Sequence, residues 1–361
     1  TTVGDVEVFA GAGNAFAQIG HGGRDNDGNF NGEIVVVGNK VELLDGTGGA
    51  AAQIGHGGFR TNGNLGGNIF VNFDPLANGG LGAAVGGGGA LRLISDANGF
   101  DSNVQIGHGG VIANTGSRTG NIVVGNSASI EVAAGRRWSN SAQIGHGGVG
   151  TSGVTSVGNI TLTTQGNVSV VAGGGHQSYA DIEINAQNAT QFTIQGGEEV
   201  AGDSTRSGQY AQIGHGGTSA SGATDGDIRV LASNAVLTLN GGGSIDAYAQ
   251  IGHGGVNANA NHGLAGDVVR VEAMDINLNA GGLAGGSDSG IPQTYAQIGN
   301  GGYSATGSHN ANVTVLAGNR VSANGGDGRG AYVQIGNGGF DTVGTHEGTV
   351  MVNSGAAGIS F

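Results

Sequence analysis

The chain has 361 residues, of which 81 are Gly, 2 are Pro and none is Cys. The missing Cys excludes disulfides and thiolate chemistry, and the scarcity of Pro excludes a collagen helix. Twelve basic against 26 acidic residues give a net charge of −14, which disfavours nucleic acid as a partner because its phosphates are also negative. No run approaches the roughly 20 apolar residues of a membrane-spanning helix, so no such segment is predicted.

One six-residue phrase, Gln-Ile-Gly-His-Gly-Gly (the hexad), recurs along the chain. The six copies with His begin at Gln18, Gln53, Gln105, Gln143, Gln212 and Gln250, and two copies with Asn in place of His begin at Gln297 and Gln334. Successive copies are most often 35 to 38 residues apart, as expected of a repeat protein. One spacing of 69 residues is interpreted as two units, because Asp181 opens a new unit whose preceding hexad is missing.

Each repeat unit contains the same elements in the same order, which is clearest between residues 226 and 255. An alternating strand at 226–230 comes first, a second strand at 235–239 follows, and Gly residues at 241–243 mark a corner. A strand at 248–251 closes the unit with the hexad, and a polar loop leads to the next unit. β-branched and polar residues alternate with period 2, which indicates strands, and no convincing helix is found.

Three short strands per unit, separated by Gly corners, predict an all-β fold in which the chain coils and stacks. A single unit cannot bury a core, whereas stacked units bury a continuous one. We therefore predict a parallel β-helix (β-solenoid) of about eight or nine rungs, roughly 40 Å tall at ~4.8 Å per rung. Residues 1–361 are predicted to form a single β-solenoid domain, a segment or subunit of a longer array.

The repeated phrases also carry a family resemblance. The openings Gly67-Asn-Ile-Phe-Val and Gly120-Asn-Ile-Val-Val, together with Ala-Gln-Ile-Gly-His-Gly-Gly, resemble the repeats of filamentous-haemagglutinin-like and autotransporter-passenger β-helices of bacteria. The resemblance covers essentially the whole chain and concerns the order of the repeated elements. It implies an extracellular or cell-surface rod used for adhesion or structure. No cofactor is predicted, and the expected partner is the chain itself or the rest of a longer surface protein.

Equivalent positions of stacked units form columns, and two columns of the hexad are predicted to be structural ladders. In the strand at 248–251, Ala249 and Ile251 are expected to face the core, whereas Tyr248 and Gln250 are expected to face outward. The Gln amides are expected to chain from rung to rung, with ligand contact as the alternative. The Ile column comprises Ile19, Ile54, Ile106, Ile144, Ile213, Ile251, Ile298 and Ile335. The Gln column comprises the eight residues that begin the hexads.

The His column is the strongest candidate for chemistry. It comprises His21, His56, His108, His146, His215 and His253, and it continues as Asn300 and Asn337. Stacked imidazoles could bind Zn, Ni or Cu. Flanking Gly residues and the exchange with Asn instead favour a corner role, since His and Asn both tolerate the left-handed backbone conformation. Because protonated rings one rung apart repel, stability is expected to drop on acidification.

A column of aromatic residues is predicted to lie on the outer face. It comprises Phe16, Tyr210, Tyr248, Tyr295 and Tyr332. Aromatic stacking explains the column, and an exposed aromatic stripe could also contact sugars or another subunit.

A glycan-binding or glycan-cleaving β-helix is the main alternative to a structural role. It would use the Tyr face or the inserted loops at 59–66, 75–90, 201–209, 256–265 and 284–293. Cleavage would need carboxylates in one column of neighbouring rungs. The pairs Asp5/Glu7, Asp25/Asp27, Asp181/Glu183 and Asp225/Asp227 fall at different phases of the repeat. No enzyme is therefore predicted, and an ice-binding surface is disfavoured because no Thr column repeats.

The two ends are expected to complement each other. Residues 348–361 and 1–23 together have the length of one unit. Two explanations stay open: a segment of a longer array, or a subunit whose ends complete one another's rung in a filament.

Overall fold

The computed structural model describes residues 3–86, 88–95, 102–110, 115–134, 141–146, 155–171, 182–196, 210–215, 221, 223–243, 246–281, 294–326 and 330–361. Within these ranges the chain is all-β, and helical structure is confined to the four residues Ala77–Gly80. The described residues include no helix that is long and apolar enough to cross a membrane.

Each repeat unit begins with two strands, which we call the first and the second strand. The first strands are Ile34–Val36, Ile69–Val71, Ile122–Ser127, Ile160–Thr164, Ile182–Asn185 and Val350–Asn353. The second strands are Val6–Phe9, Val41–Leu44, Leu91–Ile94, Ile130–Ala133, Val168–Val171, Gln191–Gln195 and Gly358–Ser360. In three units the two strands are continuous, as Ile228–Asn240, Val268–Asn279 and Asn312–Asn324. All of them belong to one 16-stranded sheet.

The hexads lie on a third set of strands, the hexad strands, and a fourth set lies in the loop after each hexad. The hexad strands are Phe16–Ile19, Ala51–Ile54, Asn103–Ile106, Ser141–Ile144, Tyr210–Ile213, Tyr248–Ile251, Tyr295–Ile298 and Tyr332–Ile335. The loop strands are Phe30–Asn31, Leu65–Gly66, Ser117–Thr119, Thr155–Val157, His309–Asn310 and His346–Glu347. The loop strands were not predicted, because their two or three residues show no measurable alternation.

Strands of one kind pair in parallel from one unit to the next, with equivalent residues opposite each other. Gln18 pairs with Gln53, and Tyr248 pairs with Tyr295. The strand Ile182–Asn185 pairs with Ile160–Thr164 on one side and with Ile228–Asn240 on the other. The 69-residue spacing therefore contains two units, as predicted.

The main core lies between the three principal sets of strands. Ile54, Ile106, Ile251 and Ile298 are fully buried in it together with Ala249, so the inward-facing prediction for these residues is confirmed. Ile213 is also buried, whereas Ile19, Ile144 and Ile335 are partly buried and pack against the same core.

The other side of the hexad strands is also covered, so the prediction that Tyr248 and Gln250 face outward is wrong. Both are 0 % exposed, because the loop that carries Val256 folds back over the strand. Val256 and Tyr303 of the loops after the hexads pack on the Tyr column and form a second core. Tyr210, Tyr248 and Tyr295 are buried there, Tyr332 is partly buried, and Phe16 at the first hexad strand is exposed.

The inserted loops differ in structure. Residues 59–66 and 256–265 belong to the cover over the hexad strands, whereas 201–209 and 284–293 lie outside the described residues. The segment 75–90 contains part of a small antiparallel hairpin, Phe73–Asp74 with Ala83–Ala84, and exposes Leu76 and Leu81. Pro75 lies in this hairpin, where no parallel ladder is interrupted.

Candidate functional site

The turn that follows each hexad strand is built on Gly residues with positive φ. Gly20, Gly22 and Gly23 have φ of 149°, 111° and 126°, a region that other residues rarely occupy. Neighbouring turns also lie very close: a Cβ on Gly55 would stand 1.9 Å from the Gly107 carbonyl oxygen. Among the described residues none of the hexad His or Asn residues has positive φ. The left-handed backbone explanation for the exchange of His and Asn is therefore wrong.

The His side chains instead join one turn to the next through hydrogen bonds. The backbone N–H of His56 donates to Nδ1 of His108, and that of His108 donates to Nδ1 of His146, both at 3.0 Å. The His21–His56 and His215–His253 pairs repeat this bond. Because Nδ1 accepts, the proton of the neutral ring lies on Nε2.

The second ring nitrogen binds the turn to the start of the first strand. Nε2 of His56, His108 and His146 lies 2.7 to 2.9 Å from the carbonyl oxygens of Gly32, Gly67 and Gly120, respectively. The rings stack in parallel with centroids 4.9 to 5.0 Å apart from His21 to His146. Each ring therefore ties together three segments of backbone.

Asn replaces His because its amide offers the same two groups. Oδ1 of Asn300 accepts the backbone N–H of His253 at 2.8 Å, where the other units use Nδ1. Nδ2 of Asn300 donates to the Asn310 carbonyl at 2.9 Å, where the other units use Nε2. Asn337 accepts from Asn300 in the same way, and its Nδ2 donates to Glu347, as Asn300 does to Asn310, and also to Ala311, as Nε2 does in the His units. The column is thus defined by its hydrogen bonds.

Burial favours the neutral form of the rings of His56, His108 and His146. It lowers the pKa of His108 to about 3, with a further contribution from His146, and it lowers the pKa of His146 to about 4. The pKa of His56 is lowered by the same cause. A neutral ring in which Nδ1 accepts and Nε2 donates has no free lone pair for a metal, and the described residues contain no group of three metal-ligating side chains.

The Gln column clamps the turns to each other, by a different bond from the one expected. Nε2 of Gln53 donates to the carbonyls of Gly107 and Gly109 in the next turn, at 2.8 and 2.9 Å. The bond from one Gln amide to the next is seen between Gln18 and Gln53, at 3.3 Å. Donation to carbonyls recurs at Gln18, Gln105, Gln212, Gln250 and Gln297, and Gln143 and Gln334 donate within their own turns.

The Tyr column supports this clamp from within the second core. The rings of Tyr210, Tyr248, Tyr295 and Tyr332 stack with centroids 4.6 to 4.9 Å apart. The Tyr295 hydroxyl donates to Oε1 of Gln250, and the Tyr332 hydroxyl donates to Oε1 of Gln297, both at 3.2 Å. Three of these four side chains are buried, so the Tyr residues do not form the exposed stripe that was predicted.

A second histidine column was missed by the sequence analysis. His262, His309 and His346 stack with centroids 5.3 and 5.1 Å apart, and Thr224 contacts Nδ1 of His262. Burial lowers the pKa of His262 to about 3 and that of His309 to about 4. Each of these His residues follows a hexad Gln by twelve positions, which is a signal that counting from the hexad could have found.

Arg118 occupies the same loop-strand position as Leu65 and is fully buried. Its guanidinium donates to the carbonyls of Gly63, Thr61 and Thr115, and burial lowers its pKa to about 10. The charge of Arg118 also contributes to the low pKa of His108. This burial was not predicted from the sequence, because Arg side chains are usually exposed.

The acidic pairs are engaged in ion pairs and turns at the surface. Glu7 and Glu42 share Lys40, and Arg92 joins Glu42 to Glu131. Asp5, whose pKa is lowered by the Asn39 amide and the Lys40 backbone, caps the adjacent turn. Asp25 pairs with Arg24 and Asp27 accepts from Asn62, whereas Asp227 pairs with Arg229. Asp181 lies outside the described residues.

Comparisons with protein-family models, with curated proteins and with solved structures give no match to this chain. Function is therefore inferred from the geometry of the repeat units.

Proposed function

We propose that the chain is a non-enzymatic parallel β-solenoid, the shaft of a bacterial surface adhesin or a self-stacking subunit of a surface filament. The observation that carries the proposal is the repeated bonding between units at the hexad turns, which runs through two groups of four hexad strands. Gln donates to the next turn, the His or Asn side chain accepts from the preceding turn, and the strands pair in register. Such bonds run along the stack, which suits a rod that carries load along its length.

The end units support stacking with further units or further copies. The strand Val350–Asn353 pairs on one side with Asn312–Asn324, and Val350 and Met351 are about half exposed, at 48 % and 47 %. At the other end, Phe9 and Phe16 are 50 % and 53 % exposed. Exposed apolar side chains beside unpaired strand edges favour pairing with another β-edge. The extracellular location and the adhesive role come from the family resemblance.

Negative-stain electron microscopy of the purified chain over a concentration series tests this proposal. Uniform fibres with a repeat of roughly 40 Å, as eight or nine rungs imply, would identify a filament subunit. Discrete short rods at every concentration would identify a shaft segment. Irregular particles without an axial repeat would contradict both.

A matched pair of variants distinguishes stacking through the ends from lateral association. Val350→Lys places a charge on the end strand, whereas Leu264→Lys places it on a loop residue that is 56 % exposed. Fibres that persist in Val350→Lys and disappear in Leu264→Lys would contradict stacking through the ends.

A neutral-glycan-binding protein is the second candidate, and one surface favours it. Ser169, Thr193, Thr238, Asn277 and Ser322 lie opposite one another on five successive second strands. Beside them runs a row of side-chain amides that starts at Gln195. The amide nitrogens of Asn240, Asn279 and Asn324 each donate to the amide oxygen of the preceding residue in this row, at 2.7 to 2.9 Å. Rows of uncharged donors and acceptors suit sugar hydroxyls.

A glycan array tests the second candidate. We expect a bound neutral glycan to be lost in Thr238→Val and retained in Val236→Ala, since Val236 lies on the same strand. Release of oligosaccharide products from the bound glycan would instead favour a glycan-cleaving enzyme. No binding above background would leave the structural proposal as the better one.

A further inference from the structure

The bonds between hexad turns fall into two chemical classes. In one class the acceptor is an imidazole Nδ1, as for the backbone N–H groups of His56, His108 and His215. In the other class the acceptor is an amide Oδ1, as for the backbone N–H groups of His253 and Asn300. The geometry is the same in both classes, and only the first acceptor can be protonated.

Protonation turns the acceptor of the first class into a donor. An imidazolium carries N–H at both nitrogens, so Nδ1–H of His108 would face the backbone N–H of His56. The Nε2–H bond to Gly67 would remain. The bond from turn to turn would therefore be lost while the ring stays attached to its own unit.

The surroundings of the rings oppose a positive charge. His108 lies between His56 and His146, with ring centroids 4.9 Å from each, and the buried Arg118 adds its charge nearby. In the later units His253 stacks on His215, and His262 lies close enough to His253 for their charges to interact. A ring can therefore accept a proton readily only when its turn opens to water.

We propose that the hexad histidines form an acid-operated latch, which joins successive units at neutral pH and releases them on acidification. The asparagine turns, which are joined through Asn300 and Asn337, stay closed. The release begins in the units that carry His56, His108 and His146, where three accepting rings follow one another. After release, the side-chain acceptors that still join hexad turns would be Asn300 and Asn337.

Residue-resolved hydrogen exchange of the full chain tests the latch at pH 7 and pH 4.5, with rates corrected for the intrinsic effect of pH. When a turn opens, one imidazole enters water and regains its usual pKa of about 6.5. Such a turn should therefore open on the order of fiftyfold to a hundredfold more often at pH 4.5 than at pH 7. We expect this loss of protection at the amides of His56, His108 and His215, and no loss at those of His253 and Asn300. Equal loss in both classes, or no loss in either, would overturn the proposal.

The chain supplies its own matched variant, because Asn already replaces His in two units. The variant His56→Asn/His108→Asn/His146→Asn should keep the amides at positions 21, 56 and 108 protected at pH 4.5. If the triple variant does not fold, His108→Asn alone tests the amide of His56. A folded variant that remains as acid-sensitive as the parent would contradict the latch.

The second histidine column needs a control of its own, because His262 and His309 are buried beside the asparagine turns. The variant His262→Leu/His309→Leu uses the residue found at Leu65, the equivalent position of an earlier unit. We expect the difference between the two classes of amide to persist in it. If the difference disappears, the acid response belongs to the second column and the latch is wrong.

Discussion

At the scale of the residue, each residue type of the hexad is explained by a separate physical cause. Ile fills the main core, Gln donates to carbonyls of the next turn, and His or Asn accepts a backbone N–H and donates to a carbonyl. Gly stands where the backbones of two turns approach too closely for a side chain. This explains why His tolerates exchange with Asn, while the Gly that follows Ile is the same in all eight copies.

A substitution at such a Gly should be far more harmful than one at a Gly in open space. In Gly107→Ala the new Cβ would lie 1.9 Å from the Gly145 carbonyl oxygen, at a φ of 152°. We expect a loss of about 3 kcal/mol or more in the free energy of unfolding. Gly79 also has positive φ but has nothing within 4 Å, so Gly79→Ala should cost only about 1 kcal/mol. Urea titration measures both, and equal losses would refute the close-contact explanation.

The Tyr column provides a second test at this scale. Burial raises the pKa of Tyr295 and of Tyr332 well above that of a free phenol, with neighbouring tyrosines adding to the effect. In a spectrophotometric titration we expect fewer than the six tyrosines of the chain to ionise near pH 10 before the fold opens. In denaturant all six should ionise together. A native titration that matches the denatured one would mean that the column is exposed.

At the scale of the element, the hexad strand is unusual because both of its faces are buried. One face contributes Ala and Ile to the main core, and the other contributes Tyr and Gln to the second core under the loop. The polar Gln is stable there because its buried amide N–H groups find carbonyl acceptors in the next turn. The hexad turn is therefore held from inside the protein, which alternation of apolar and polar residues alone does not predict.

Removing this clamp should destabilise the middle of the stack more than its end. Gln250→Leu deprives the carbonyls of Gly299 and Gly301 of a buried donor, at an expected cost of about 1–3 kcal/mol. Gln334 donates to Asn337 in its own turn, so Gln334→Leu is the matched control with a smaller loss. Thermal unfolding of both variants measures the difference. A larger effect at Gln334 would contradict the clamp between turns.

At the scale of the whole molecule, the two histidine columns make stability depend on pH. Four rings, His108, His146, His262 and His309, have folded pKa values of about 3 to 4, below the value of about 6.5 in an unfolded chain. Between these values the unfolded state binds more protons, so stability is complete above pH 6.5 and falls as the pH is lowered. Asp246 opposes this trend weakly, because burial raises its pKa.

The melting temperature should therefore be lower at pH 4.5 than at pH 7. His108 alone accounts for about 2–3 kcal/mol of lost stability at pH 4.5, given a shift from 6.5 to about 3. Differential scanning calorimetry of the chain at the two pH values measures the change. A melting temperature that stays constant from pH 7 to pH 4.5 would contradict buried neutral columns.

The sequence by itself determined the repeat, the strands and the inward position of the Ile column. These follow from short-range alternation and from the spacing of one conserved phrase within the chain, both of which are local properties. Only the tertiary structure decided what lies over the opposite face of the hexad strand. Alternation along the strand predicts that Tyr248 and Gln250 face outward, because it does not include the loop that covers them. The Gly-rich sequence of that loop has no periodicity from which its position could be predicted. The loop made the Tyr column a second core and holds the buried Arg118 and His262, whereas the close approach of neighbouring turns decided the bonds of the His column.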